Sequence, residues 1–172
     1  FAKHYLFVQV YTDAGIVGLG EAGNWGYLQA TAAAIEKFAT YLIGKDPFRI
    51  EDYNQNFLRS VYFRGSVIMS AISAIDIALW DIKGKALGVP VYELLGGKVR
   101  DSVRMYANVW FAGAKEPDEF AAAAKKAVAM GVTALKWDPF GKAYLYMDNQ
   151  EFFHAIEIVE AVRAAVGSSV DL

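Results

Sequence analysis

The sequence predicts an α+β unit followed by a run of parallel βα units, the arrangement with which an α/β barrel opens. Up to about residue 98, one hairpin pattern is followed only by helical patterns, whereas from about 103 strand and helix alternate through three strands and two helices. The stretch Gly96-Gly97-Lys98-Val99-Arg100-Asp101-Ser102 joins the two patterns and places domains at 1–100 and 101–172, with the boundary near 98–102. At 172 residues, 55% hydrophobic and 21% charged, the chain has apolar material for one core and part of another.

The elements follow in order. "YLFVQVYTDAGIVGLGEA" alternates β-branched and aromatic residues around Asp13-Ala14-Gly15, a hairpin turn in which Gly15 supplies positive φ. Thr31 to Leu42 places Ala34, Ile35, Phe38 and Leu42 on one helical stripe, and Gly44 ends it. "DPFRIEDYNQNFLRSVY" predicts a second helix with Asp46 as N-cap and Pro47 in its first turn. A long helix is expected from about Ser66 to Leu87, stopped by Gly88 and Pro90, and "PVYELLGG" is a short helical piece. Beyond the boundary, "VRMYANVW", "TALKWD" and "SSVDL" read as strands. Between them, "PDEFAAAAKKAVAMG" reads as a helix with Asp118 and Glu119 in its first turn, and "NQEFFHAIEIVEAVRAAVG" as another. No internal repeat or low-complexity tract appears.

Composition narrows the function. A net charge of −2 gives no support for a nucleic-acid partner. There is no cysteine, hence no disulfide or thiolate chemistry. The most apolar run, Val67 to Trp80, is broken by Ser70, Ser73 and Asp76 and falls short of the roughly 20 residues of a membrane span. No signal peptide is visible, and these features fit a cytoplasmic protein with no membrane partner. Phe1 is not an initiator methionine and "SSVDL" starts a strand as the chain stops. Both suggest part of a longer protein, with a strand of the α+β unit preceding Phe1.

"LKWDPFG", residues 135–141, is the sharpest local signal. Lys136 and Asp138 share one strand face, Leu135 and Trp137 the other. In βα barrels the chemistry sits at the carboxyl ends of the strands, where these charges lie. They are either a structural ion pair or an active-site wall.

"AIDIALWDIKGKALGVPVYELLGGKVRDSVRMYA" resembles the link between capping domain and barrel in the enolase superfamily, in its mandelate racemase subgroup, and "TDAGIVGLGEA" resembles the hairpin of that cap. With "ALKWDPFG" and "AVGSSVDL" the resemblance covers nearly the whole chain. It implies an α+β cap on a (β/α)7β TIM-like barrel, proton abstraction beside a carboxylate, and Mg2+ stabilising the enediolate. The three carboxylate ligands are expected beyond Leu172, the first about three positions past Asp171. Racemases and many dehydratases of the family carry Lys-x-Lys where this chain has Lys136-Trp137-Asp138. "KWDPFG" is more similar to the sugar-acid dehydratases of the gluconate, galactonate and arabinonate type. The resemblance therefore implies dehydration of an aldonate to a 2-keto-3-deoxy acid, a small-molecule partner and a homo-oligomer. The alternatives are a racemase, epimerase or cycloisomerase of the same superfamily, or a non-catalytic ligand-binding relative.

Residue roles follow from both lines. A facing carboxylate keeps an ammonium charged, so Lys136 reads as an electrostatic clamp on the substrate anion and Asp138 as the group that orients it. Two cap loops of the family choose the substrate. In "GNWGY", Asn24, Trp25 and Tyr27 become substrate-binding candidates; in "VYFRGS" (61–66), Tyr62 and Arg64 do. Asn108, near the end of the first barrel strand, is a further one, whereas neighbouring Trp110 reads equally as pocket wall or core plug. Asp76, Asp81 and His154 read as structural, with a backbone group or an arginine expected to satisfy the helix carboxylates. "GLGEAG" lacks the spacing of a nucleotide-binding glycine loop.

Overall fold

A computed structural model describes residues 4–60 and 62–172. Phe1 and Val61, which opens the 61–66 loop, lie outside the described residues. The chain divides into two compact units, residues 1–99 and 100–172.

In the first unit, β1 (Leu6–Tyr11) and β2 (Val17–Ala22) form an antiparallel hairpin with Leu6 opposite Ala22 and Tyr11 opposite Val17. Thr12 closes the turn: its N–H donates to the Ile16 carbonyl, and its hydroxyl oxygen accepts from the Ile16 N–H at 3.0 Å. Gly15 sits at φ 78°. Helix α3 (Ser66–Leu87) lies directly on β2. A Cβ at Gly18 or Gly20 would overlap the carbonyl oxygens of Ala78 and Ala74, so "GLGEA" needs glycine for backbone-to-backbone approach. A side-chain latch secures the contact. The Asp81 carboxylate accepts from the Leu19 N–H at 2.9 Å and from the Lys85 ammonium at 2.6 Å, and Lys85 also donates to the Val17 carbonyl at 2.7 Å.

Helices α1 (Leu28–Leu42) and α2 (Ile50–Arg59) complete this core. Phe38, Ile50, Tyr53, Phe57, Ile72, Ile75, Leu79 and Ile82 are buried together, with the Phe38 and Phe57 rings stacked at 4.3 Å. The expected stripe of α1 does face this core, although the helix starts three residues before Thr31. The second helix starts later than expected, at Ile50 with Arg49 as its N-cap. Asp46 and Pro47 instead form a separate turn, in which the Asp46 side chain accepts from the Phe48 N–H at 2.9 Å. The Asp46 carbonyl takes the Tyr53 hydroxyl at 2.5 Å. Burial, then the nearby Asp46 carboxylate, raises the Tyr53 phenol above its ordinary pKa. Gly88, at φ 68°, caps α3 in the left-handed conformation, and α4 (Val91–Leu94) follows.

The second unit holds α5 (Pro117–Ala129) and α6 (Asn149–Val166) against three extended segments. These segments are less regular than the sequence suggests. Each junction is a single parallel bridge, Ala107 with Leu135 and Ala134 with Asp171. The order is first–second–third, as consecutive βα units require. Phe120, Ala124, Leu135, Ile158, Val162 and Val170 form the core. Asp148 caps α6, accepting from the Glu151 N–H at 2.8 Å while the Glu151 carboxylate accepts from the Asp148 N–H at 3.0 Å. Arg163 ties the end of α6 to the third segment through the Gly167 and Val170 carbonyls at 2.5 and 2.7 Å.

Candidate functional site

The candidate residues of the second unit lie at the carboxyl ends of its first two segments. Leu135 is buried and Trp137 half-buried in the core, while Lys136 and Asp138 are exposed, so the alternation places both charges on the face away from α5 and α6. Tyr106 and Asn108, flanking Ala107, are exposed in the same way. Two backbone bonds fix the register: Ala107 N–H to the Ala134 carbonyl and Lys136 N–H to the Ala107 carbonyl, both 2.9 Å.

Lys136 and Asp138 do not pair with each other. The Asp138 carboxylate accepts the Phe140 N–H at 3.0 Å, forming a turn at Asp138-Pro139-Phe140. The Lys136 ammonium instead lies 6.0 Å from the Tyr106 ring centroid, at the outer limit of a cation–π contact. The Lys136 ammonium thus has an aromatic ring of the neighbouring segment beside it, not the Asp138 carboxylate expected from the sequence. Tyr106 could have been found from strand parity with Asn108, once Ala107 was known to face the core.

Asn108 accepts the Val109 N–H on its side-chain oxygen at 2.8 Å, and Val109 has φ 62°. A β-branched residue rarely adopts that conformation, and such strain clusters at functional positions. The turn carries Trp110 back so that its indole N–H donates to the Lys136 carbonyl at 3.0 Å. Arg104 pairs with Asp171 across this unit, an ion pair exposed on both sides.

The first-unit candidates lie in its loops. Trp25 and Tyr27 are 71% and 65% exposed, in a turn where Gly26 has φ 86°. Asn24 is partly buried and donates to the Thr31 hydroxyl at 3.3 Å, which ties this loop to α1. Tyr62 is 99% exposed and Arg64 is exposed before the start of α3. A groove of about 840 Å³ beside β1, lined by Val8, Val10, Ile35 and Leu42, contains none of these residues. The carboxylates read as structural have partners. Asp76 accepts from the Asn54 amide at 2.7 Å, where a backbone group or arginine was expected, and Asp81 forms the β2 latch. His154 lies 3.2 Å from the Lys115 carbonyl. Among the described residues, no group of three or more His, Asp or Glu could hold a metal ion.

Residues 2–96 match the family model of the mandelate racemase / muconate lactonizing enzyme N-terminal domain. The chain belongs to this family. The first unit is its N-terminal domain, and the similarity continues through the second. A D-gluconate dehydratase of Thermoproteus tenax is 43% identical over 100% of this chain and 35% of its own length. A D-galactonate dehydratase of Pectobacterium atrosepticum is 41% identical over 97% of this chain and 43% of its own length. The crystal structure of an enolase-superfamily member from Salmonella Typhimurium superposes with a TM-score of 0.88 at 34% identity, covering 96% of this chain and 48% of that one. The chain therefore spans less than half the length of these relatives, and its fold is that of the α+β cap and first βα units of the enolase superfamily.

Proposed function

We propose that the protein carrying this chain is a lyase that dehydrates a sugar acid to a 2-keto-3-deoxy acid. The observation supporting this best is the 43% identity to a D-gluconate dehydratase across all of the chain. In the proposed reaction a base removes the proton at C2 of an aldonate. The electron pair then expels the C3 hydroxyl, which leaves as water with a proton from a general acid, and the enol tautomerises to the ketone. Lys136 supplies fixed positive charge beside the carboxylate as the enediolate gathers negative charge, a stabilisation worth more in the transition state than in the ground state. Asn108 presents its amide N–H2 on the same face, its oxygen being engaged by Val109. Asp138 shapes the turn that ends the second segment. Asn24, Trp25, Tyr27, Tyr62 and Arg64 are proposed to read the distal hydroxyls, a role supported by the exposure of Trp25, Tyr27, Tyr62 and Arg64. We further propose Mg2+ as cofactor, held by carboxylates that these residues do not supply.

The test is release of 2-keto-3-deoxy acid from a panel of aldonates by the full-length protein. The result expected is turnover of at least one aldonate, reduced about 100-fold or more in Lys136→Met. Unchanged turnover in Lys136→Met would make the lysine a surface charge; racemisation without water loss would favour the racemase reading.

A further inference from the structure

In a parallel ladder one residue bonds to two residues on its neighbour, and the pattern repeats every second residue. Ala107 occupies that position here, donating to the Ala134 carbonyl and accepting from Lys136. The next rung would run from the Val109 N–H to the Lys136 carbonyl. It is not made. Val109 turns into the left-handed conformation at φ 62°, and its N–H goes to the Asn108 side chain. The indole N–H of Trp110 takes the place of the missing donor, 3.0 Å from the Lys136 carbonyl. The indole packs edge to face among aromatic rings, with Phe111 at 5.6 Å and Phe120 at 6.4 Å, and the Trp137 ring is also near it at 5.3 Å.

We propose that Trp110 is a positioning residue for Lys136, its side-chain N–H completing the ladder at the one carbonyl the strained Val109 turn abandons. The first segment can then leave the sheet immediately after Asn108 while the backbone under the Lys136 ammonium stays fixed. The proposal rests on the reading of Lys136 as the cation that holds the substrate anion. Trp137 provides the internal control. Among the described residues its buried indole N–H has no hydrogen-bond partner, so replacing it with Phe removes an indole without removing a bond.

The experiment compares Trp110→Phe, Trp137→Phe, Lys136→Met and the double variant Trp110→Phe/Lys136→Met in the full-length enzyme, with an aldonate as substrate. Trp110→Phe is expected to lower kcat about three- to tenfold, the worth of one hydrogen bond, with KM little changed. Trp137→Phe should stay within twofold of wild type, roughly the scatter expected for loss of an unpaired donor. Because Trp110 acts through Lys136, the double variant should be no slower than Lys136→Met alone. Additive losses would overturn the proposal, as would equal losses in the two tryptophan variants. Wild-type kcat in Trp110→Phe alongside an impaired Lys136→Met overturns the positioning role and leaves the reading of Lys136 standing; wild-type kcat in Lys136→Met overturns both. Should Trp110→Phe not fold, hydrogen exchange of the Trp110 indole in the wild-type protein decides: slow exchange supports the bond and exchange at the rate of a free indole overturns it.

Discussion

Lys136 and Asp138 stand two residues apart on one face, yet the structure gives them different work. The Asp138 carboxylate is spent on the Phe140 N–H, so its loss acts on the turn. Asp138→Asn keeps an acceptor and should leave both stability and turnover near wild type. Asp138→Ala should cost about 1 kcal/mol in denaturant unfolding, the usual net worth of such a bond. A loss of activity in Asp138→Asn as large as that in Lys136→Met would instead place the carboxylate in the chemistry. The sequence supplied the shared face, because strand alternation is local. It could not supply the partner, because Asp-Pro-x turns and ion pairs between i and i+2 on one strand face use the same residue types, and only the backbone path decides between them.

At the scale of elements, close packing of α3 on β2 is the feature most exposed to mutation. Gly18→Ala or Gly20→Ala would force α3 off the strand, because the obstructing atoms are backbone carbonyls that cannot rotate away. About 3 kcal/mol of destabilisation is expected for each, read as a lower denaturation midpoint. The latch beside them is pH-dependent. Burial alone would raise the Asp81 carboxyl, but the Lys85 ammonium and the Leu19 N–H outweigh it and hold Asp81 below its ordinary value. A carboxyl depressed in the folded state stabilises above its unfolded pKa and loses that contribution as pH falls through the folded one. Melting temperatures of the wild type and Asp81→Ala should therefore differ at neutral pH and converge below about pH 4, near the ordinary aspartate value. A constant difference across that range would remove Asp81 from the acid response. The helices were legible in the sequence for reasons that are equally local: α3 ends at Gly88, and α5 carries Asp118 and Glu119 in its first turn. Asp46-Pro47 misled because the pair that caps a helix also closes a turn, and the Tyr53 hydroxyl anchors that turn from seven residues away. The three barrel segments looked like full strands, but their pairing depends on residues distant in sequence, and one ladder is cut by the unannounced left-handed Val109.

For the whole molecule, the two readings that share this scaffold differ in what happens after C2 is deprotonated. A racemase returns a proton to C2 from the opposite face, which needs a second base poised across the substrate. The family's Lys-x-Lys would offer one from the second barrel strand. This chain offers Lys136-Trp137-Asp138, with the aspartate bonded into its own turn. An intermediate that is not reprotonated from this strand is free to lose its C3 hydroxyl instead. In D2O, the full-length protein should therefore convert an aldonate to 2-keto-3-deoxy acid while the remaining substrate keeps its configuration at C2. NMR of partly reacted mixtures measures both quantities at once. Accumulation of the C2 epimer faster than the keto acid would mean that a second base acts from elsewhere in the barrel and that elimination is the minor path.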